Sequence, residues 1–263
     1  MNSRDILKTV SSAEDRLLIA KLLDKAELAE KTNKITNTDF LDPHQMAVAK
    51  KMLANAGVCG FSFNGGYSEA ERVLALFVPE FVDDMEQDKH IRTLLKVIEI
   101  VPKALGLSHR DYLGALMGLG IKREVIGDII VTDNKCSIIV LSEIAEFIAG
   151  NLFKVGNTGV TLEIKGISAL VGPEARVKEI KATVAALRLD TVCAQSFSIS
   201  RSKAAELIKA GRVNLNWETV QNSDKAVREG DNISIRGKGK AVLDKVGDRT
   251  KKDRIVVQIK KYI

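Results

Sequence analysis

The stretch from residue 200 to 213, Ser-Arg-Ser-Lys-Ala-Ala-Glu-Leu-Ile-Lys-Ala-Gly-Arg-Val, limits the possible folds more than any other part of the chain. Its apolar residues recur at helical spacing over 204–208, which predicts a helix with one face against a core. Ser200 precedes that pattern as an N-cap, and Gly211 ends it as a left-handed stop. A strand is predicted immediately afterwards, over 213–216. The stretch therefore predicts a short capped helix that turns directly into a strand.

The charge of the chain is concentrated around this stretch. Residues 181–263 contain 18 Lys and Arg against 9 Asp and Glu, a net charge of +9. The other 180 residues contain 22 against 25, a net charge of −3. A basic module joined to a mildly acidic body predicts a polyanionic partner.

Several of these cations lie next to backbone groups that can also bind phosphate. Arg201 and Lys203 flank the apolar stripe in the first helical turn. There the backbone N–H groups have no partner within the helix, and the positive end of the helix dipole lies at the same place. Such helix ends are natural phosphate sites. Arg212 adds a cation just after the stop. The glycines of 237–240 let the backbone and the lysines of that loop approach a sugar-phosphate chain closely.

The first 170 residues predict a helical segment followed by an α+β domain. Helical spacing and caps predict helices over 5–31, 43–54, 108–119 and 142–150, the second opened by Asp42-Pro43 and the third capped by Ser108. Ser68 and Glu71 together predict a capping box. Short apolar runs predict strands over 73–78, 94–101, 128–132, 136–140 and 160–164. The order strand, strand, helix, hairpin, helix, strand predicts a ferredoxin- or RRM-like domain over 73–170, behind a helical N-terminal segment over 1–72.

A third domain is predicted over 181–263, after a linker at Gly172-Pro173. Its expected elements are a helix over 181–193, the helix from Ser200, and strands over 213–216, 231–236 and 254–259.

The third domain resembles the S-four domain, a small αL RNA-binding fold named after the fourth protein of the small ribosomal subunit. The resemblance rests on Leu187-Arg188-Leu189-Asp190, on the stretch 200–213 and on a later Arg236-Gly237-Lys238. In that family two short helices and the adjoining strand present a basic surface to structured RNA. The resemblance implies that Asp190 and Ser200 hold the helices in place. It implies that the basic surface includes Arg201, Lys203, Arg212, Arg236 and Lys238.

The complete set of predicted RNA-binding residues adds three side chains to that surface. The set comprises Arg201, Lys203, Lys209, Arg212, Trp217, Arg236, Lys238 and Lys240. Trp217 stands in a turn where the S-four family often has glycine, and two interpretations of it are open. It could stack on an unpaired base, or it could pack between modules.

Two further motifs extend the resemblance over nearly the whole chain, to the YlmH family of bacterial RNA-binding proteins. They are Phe-Asn-Gly-Gly-Tyr-Ser-Glu-Ala-Glu-Arg over 63–72 and Leu-Met-Gly-Leu-Gly-Ile-Lys-Arg-Glu-Val-Ile-Gly-Asp-Ile over 116–129. That family joins an RRM-like region to a C-terminal S-four domain. The resemblance implies a cytoplasmic, ribosome- and tRNA-associated factor that acts on large ribosomal subunits carrying peptidyl-tRNA, in ribosome-associated quality control. Stacking of bases on the RRM-like sheet is not expected, because the aromatic RRM motif is absent.

The sequence favours no catalytic, metal or cofactor site. His44, His90 and His109 lie in different segments without metal-binding spacing, and no phosphate-loop or dinucleotide motif occurs. Asn64-Gly65-Gly66 is more typical of a tight turn than of a phosphate cradle. The alternative function is an RNA-modifying enzyme, a pseudouridine synthase or methyltransferase, because S-four domains are often appended to such enzymes. Against it, Arg188-Leu189-Asp190 lacks the glycine that precedes the catalytic aspartate motif of the synthases.

Composition sets the remaining limits. Hydrophobic residues make up 45% and charged residues 28% of the chain, as in ordinary globular proteins. No apolar run approaches the roughly 18–20 residues of a membrane span, and the N-terminus does not read as a secretory signal. Cys59, Cys136 and Cys193 are odd in number and far apart, which predicts buried free thiols of a cytosolic protein.

Overall fold

Two helices and a small sheet form the beginning of the chain. The computed structural model describes residues 12–170, 172, 177–250 and 252–262. Helix α1 is Ala13–Thr32 and helix α2 is Pro43–Ala56. Asp42 caps α2 with a complete capping box, in which Gln45 returns a hydrogen bond to the Asp42 N–H at 2.9 Å. The predicted helices are thus confirmed, apart from residues 5–11, which lie outside the described residues.

The strand predicted over 73–78 forms, but it does not belong to the RRM-like sheet. Strands β1 (Thr36–Asn37), β2 (Phe61–Asn64) and β3 (Leu74–Phe77) make a separate three-stranded sheet in the order β1-β3-β2. All four residues of β3 are buried, as expected of a central strand. The sequence pattern identified the strand correctly and its sheet incorrectly, because ladder partners are not encoded within the strand itself.

Two local predictions in the same region are wrong. No helix follows the expected capping box at Ser68, since residues 68–72 are turns and bends. An unpredicted helix, α3 (Asp84–Leu94), is capped by Asp83 and leads straight into β4 (Leu95–Pro102). Only Ile91 of this helix is buried, so its apolar periodicity is too weak to recognise.

From the strand over 94–101 onward, the elements of the RRM-like domain follow the predicted order. After β4 come α4 (His109–Gly118), β5 (Ile126–Val131), β6 (Cys136–Leu141), α5 (Ser142–Asn151), β7 (Lys154–Val155) and β8 (Thr158–Gly166). The sheet order is β5-β6-β4-β8-β7 and every pair is antiparallel. Its four main strands therefore have the 4-1-3-2 order of a ferredoxin-like sheet with two split βαβ units.

Both faces of this sheet are used for packing. Ile98, Ile100 and Ile138 belong to a core cluster that includes Tyr112 and Leu116 of α4. On the other face Leu95, Val97, Ile139 and Leu141 belong to a cluster with residues of β3 and α3. The N-terminal elements thus cover part of the sheet face that lies opposite α4 and α5.

The C-terminal unit is a six-stranded sheet with two short helices. Strands β9 (Val177–Val184), β10 (Val213–Leu215), β11 (Glu218–Thr219), β12 (Asn232–Ile235), β13 (Gly239–Arg249) and β14 (Ile255–Tyr262) are arranged in the order β11-β10-β12-β13-β14-β9. Helices α6 (Leu189–Phe197) and α7 (Arg201–Lys209) share a core cluster with the sheet.

The helix predicted over 181–193 is wrong in its first half. Residues 177–184 form β9, which pairs with β14 from Val177↔Tyr262 to Val184↔Ile255, and the helix begins only at Leu189. The apolar residues of 180–187 fit the spacing of a helix as well as that of a strand. Pairing with β14, some 75 residues later in the chain, makes this segment a strand.

Chain contacts divide the protein into two compact units, Met1–Pro173 and Glu174–Ile263. The expected linker includes Pro173, which is outside the described residues, and the expected domain boundaries at 72, 170 and 181 stay predictions. Of the described helices, none combines the length and apolarity that a membrane span requires. Cys136 and Cys193 are buried, as predicted, whereas Cys59 is exposed.

Candidate nucleic-acid interface

Helix α7 is held in place as the sequence predicts. The Ser200 Oγ accepts a hydrogen bond from the Lys203 N–H at 3.2 Å, and Ala204, Leu207 and Ile208 are buried. Gly211 adopts φ +66° directly after the helix. Because the apolar stripe faces the core, the cations of α7 are directed toward solvent.

Asp190 is the electrostatic anchor of this region. Its side chain is only 5% exposed, and it accepts hydrogen bonds from Arg201 Nε at 2.8 Å, Thr191 Oγ1 at 3.0 Å and Arg188 at 3.2 Å. Burial raises the pKa of Asp190, but hydrogen bonds from Arg201, Arg188 and Thr191 outweigh it and hold this pKa below the ordinary aspartate value. The carboxylate thus connects the first turns of α6 and α7, the role that the S-four resemblance implied for it.

Arg188 belongs to the same network, although it was not among the predicted site residues. Its guanidinium group bridges Asp190 and the exposed Asp224. Its place in the Leu-Arg-Leu-Asp motif, two residues before Asp190, was the available signal. Lys203 also has an acidic neighbour, since its Nζ lies 2.6 Å from Glu206 Oε1. The cations at the start of the two helices are therefore partly neutralised.

A second group of cations surrounds the end of α7. The Arg236 N–H donates to the Arg212 carbonyl at 3.1 Å, because Val213 pairs with Ile235. Lys238 follows in the turn after β12, where its N–H donates to the Ile235 carbonyl at 2.9 Å. Lys209 is in the last turn of α7. We call these four exposed residues the Arg212 group: Lys209, Arg212, Arg236 and Lys238.

The Arg212 group differs in its ion pairs from Arg201 and Lys203, the cations in the first turn of α7. Within the described parts of the chain, none of its four side chains forms an ion pair. Helix α7 has nine residues and rises about 1.5 Å per residue, so the two groups lie roughly 12 Å apart along its axis. The structure thus separates the predicted cations into an anchored set, Arg201 and Lys203, and an unneutralised set.

Lys240 and Trp217 have different surroundings from the rest. The Lys240 Nζ lies 4.9 Å from the centre of the Tyr262 ring, a cation–π contact within the sheet. Trp217 is partly exposed and does not belong to the side chains packed on the core of its unit. It forms the turn between β10 and β11 with Asn216, and both residues have positive φ, +66° and +50°. Left-handed backbone explains why glycine is common at this position.

The RRM-like sheet has no means of stacking bases. Its five strands contain no aromatic residue. At the centre of the face opposite α4 and α5, Glu99 accepts hydrogen bonds from Lys135 at 2.5 Å and from Lys165 at 2.8 Å. The loop 64–66 is a tight turn, as predicted, because the Asn64 side chain accepts the Gly66 N–H at 2.8 Å.

The two motifs of the YlmH resemblance meet in one place. Asp128 of β5 accepts hydrogen bonds from the Tyr67 hydroxyl at 2.8 Å and from the Glu71 and Arg72 N–H groups at 2.8 and 3.0 Å. Arg72 in turn donates to carbonyls of the second motif. The sequence alone did not indicate a role for these residues, because the residues in contact are more than 50 positions apart in the chain.

Comparison with known proteins assigns each part of the chain. Family models match the YlmH N-terminal region over residues 14–79, the RNA-binding domain in YlmH over 86–169 and the S4 domain, called S-four above, over 187–233. A segment of 52 residues, 20% of this chain, is 38% identical to an uncharacterized RNA pseudouridine synthase of Aquifex aeolicus, where it covers 22% of the protein.

Longer similarities involve two bacterial proteins. The cell division protein ylmH from Streptococcus pneumoniae has a solved structure with a similar fold, at a TM-score of 0.51 and 23% identity over 62% of this chain and 98% of that one. The ribosome-associated protein quality control protein P2 of Bacillus subtilis is 36% identical over 241 residues, which cover 92% of this chain and 93% of that protein. With this extent of identity and three matched models in the same order, the chain belongs to the YlmH family.

Proposed function

We propose that this protein is a non-enzymatic RNA-binding factor that acts on the ribosome. The S4 domain match and the name of the Bacillus subtilis relative support the proposal. The observation that carries it is the Arg212 group, four exposed cations without ion pairs in the described chain. The group lies beside a helix whose first cation, Arg201, is held by buried Asp190. Unneutralised cations next to each other favour a polyanion such as the RNA backbone.

The finer proposal concerns the partner and the place of action. We infer that the RNA is structured rRNA or tRNA, and that the protein acts in the cytoplasm on large ribosomal subunits that carry peptidyl-tRNA. The relative's name supports ribosome-associated quality control. The eight residues named from the sequence remain the proposed contact set. Arg212, Arg236, Lys238 and Lys209 are expected to contribute most, because no ion pair has to be broken before they bind phosphate.

The proposal is tested with the double variant Arg212→Ala/Arg236→Ala. Removal of two phosphate contacts should reduce the slope of log affinity against log salt by roughly 1–2 units, measured by fluorescence anisotropy with labelled tRNA and ribosomal RNA fragments. The matched control is Lys245→Ala/Lys252→Ala, which removes the same charge from exposed positions of the same unit. Equal slopes for the two double variants would reject the Arg212 group as the RNA contact.

The site of action is tested by sedimentation of the tagged protein from lysate through a sucrose gradient, with crosslinked RNA sequenced from each fraction. Co-migration with large subunits and reads on rRNA and tRNA are expected. Protein that stays at the top of the gradient, with reads on one other RNA, would instead favour the RNA-modifying enzyme, the function named by the Aquifex aeolicus match.

A further inference from the structure

The RRM-like domain has lost the surface with which such domains stack bases. One part of the sheet face opposite its helices is covered, since Val97, Ile139 and Leu141 pack with the N-terminal elements. On the remaining part, Glu99 pairs with Lys135 and Lys165, and Glu163 also pairs with Lys165. An RNA contact of this domain must therefore lie elsewhere on its surface.

Two arginines converge at its edge strand, β5. Arg72 Nε and Arg123 Nη1 donate to the same carbonyl, that of Ile126, at 2.9 and 2.6 Å. Arg72 Nη2 also donates to the carbonyls of Phe40 at 3.1 Å and Arg123 at 3.3 Å. Arg123 Nη1 donates to the Gly127 carbonyl at 3.0 Å. Carbonyls at short distance thus hold the two guanidinium groups next to each other.

The charge of Asp128 acts on both arginines, and those of Asp42 and Glu124 act on Arg72. Neither arginine forms an ion pair in the described part of the chain, and the Asp128 oxygens are occupied by the Tyr67 hydroxyl and two backbone N–H groups. Burial, and then the charge of Arg72, lower the pKa of Arg123 to about 10. Two like charges in half-buried positions destabilise each other, and an anion between them would relieve that repulsion.

Part of each guanidinium group is open to solvent. Both side chains are half-buried, and no buried side-chain nitrogen in the described residues lacks a hydrogen-bond partner. The N–H groups that the carbonyls do not use therefore face water. Exposed Lys122 precedes Arg123 in the chain. Burial, and then the charge of Arg123, lower the pKa of His109 at the start of α4, against the opposing charges of Asp128 and Glu71.

We propose that Arg72 and Arg123 form a binding site for a backbone phosphate of RNA, a second contact on the first unit of the protein. A phosphodiester suits paired guanidinium groups because it accepts several charge-assisted hydrogen bonds at once. An RNA partner is favoured over an acidic protein because the family model matched over 86–169, which includes Arg123, is an RNA-binding domain. The site rests on the proposed function only in taking RNA as the partner, and it shares no residue with the Arg212 group.

The test compares Arg123→Gln with Lys165→Gln in the full-length chain. Both variants remove one positive charge from the same domain, but Lys165 lies on the ion-paired sheet face. Affinity for fluorescein-labelled tRNA is measured by anisotropy at several salt concentrations. Arg123→Gln should weaken binding roughly tenfold and reduce the salt slope by about 1 unit, whereas Lys165→Gln should change neither. A third variant, Arg123→Lys, keeps the charge but loses the planar set of N–H donors, so its affinity should fall between those of the wild type and Arg123→Gln.

Each outcome decides the inference. Equal affinities of Arg123→Gln and Lys165→Gln, with unchanged thermal transitions, would overturn it. If Arg123→Gln loses its thermal transition, RNA binding by a folded Arg123→Lys would still support the inference. The lysine keeps the positive charge but not the paired contacts with the carbonyls. Weak binding by both Arg123 variants together with a lowered thermal transition of both would assign the residue a structural role and overturn the phosphate site. If the Arg212/Arg236 variant binds normally while Arg123→Gln does not, the proposed S4 contact fails and this site stands.

Discussion

At the scale of single residues, Asp190 shows how a buried charge can shape a binding surface without touching the ligand. Its carboxylate receives three side-chain donors, of which two are arginines at the starts of the helices. Arg201 is 58% exposed although one of its N–H groups is held by Asp190. A cation fixed in this way loses little conformational entropy when it meets a phosphate.

We expect Asp190→Asn to lower the free energy of unfolding by about 2–3 kcal/mol, because charge-assisted hydrogen bonds to a buried group are lost. The pKa of Asp190 is depressed in the folded protein, so its stabilising effect is present above the unfolded pKa of about 4 and is lost as pH falls through the folded value. Urea denaturation across this pH range should show the variant and wild type converging in acid. Asp224→Asn, at an exposed partner of Arg188, is the control and should cost less than about 1 kcal/mol.

Trp217 shows that a strained residue can be retained at a surface. A bulky side chain in left-handed backbone costs about 1–2 kcal/mol, and the ring gains no packing on the core of its unit. Of the two interpretations left open by the sequence, we propose the first, a ring that is available to a base.

Trp217→Gly should therefore leave the melting temperature unchanged or higher, since glycine accepts this backbone without strain. The same substitution should weaken binding to RNA with unpaired bases by about 1–3 kcal/mol, as measured by anisotropy. A lower melting temperature with unaltered RNA affinity would show that the ring is a packing residue.

At the scale of elements, Asp128 connects a loop to a strand. Residues 65–72 contain no helix or strand, yet their backbone is held against β5 through the N–H groups of Glu71 and Arg72. Gly65 makes this approach possible, because a Cβ at that position would lie 2.3 Å from the Arg72 carbonyl oxygen. The loop therefore brings Arg72 to Arg123.

Asp128→Ala should lower the free energy of unfolding by about 1–3 kcal/mol, since partly buried donors lose their acceptor. It should also weaken RNA binding as Arg123→Gln does, because Arg72 is no longer held in place. Urea denaturation and anisotropy measure the two effects. Asp133→Ala, in the exposed turn between β5 and β6, is the matched control. Equal stability of the two variants would show that Asp128 does not hold the loop 65–72 against β5.

At the scale of the whole molecule, the core of the second unit is separate in sequence from the cores of the first. Its buried residues run from Val184 to Ile259, whereas the clusters of the first unit end at Ile167. The charge follows the same division, with the excess of Lys and Arg in the C-terminal part of the chain. We therefore expect that a substitution in one core alters the stability of the unit that contains it.

Ile208→Ala should destabilise the second unit by about 2–5 kcal/mol, because it leaves a cavity beside a fully buried helix face. Hydrogen exchange measured by mass spectrometry should show faster exchange at Ile233 and Ile259, with unchanged protection at Ile98 and Ile138. A parallel loss of protection in both units would show that they unfold as one.

The parts of the fold that the sequence predicted are those with local physical causes. Ser200, Asp42 and Ser108 cap helices that begin where the pattern predicts, and the apolar run over 136–140 predicts β6, because capping and local composition depend on residues a few positions apart. The S-four and YlmH motifs identified the family for a similar reason, because each motif is a short continuous stretch that can be recognised without the fold.

The sequence by itself thus determined the helices that begin after Asp42, Ser108 and Ser200, and the four main strands of the RRM-like sheet. It also determined the basic character of the C-terminal unit and the cations that it presents. Tertiary structure alone decided that β3 joins β1 and β2 and that 177–184 is a strand beside β14. It also decided that Asp190 pairs with Arg201, whereas Arg212 has no ion pair among the described residues. It also decided that Arg72 meets Arg123. The physical reason is the same in each case: hydrogen-bond ladders and ion pairs form between groups that are distant in sequence, and only folding determines which groups become neighbours.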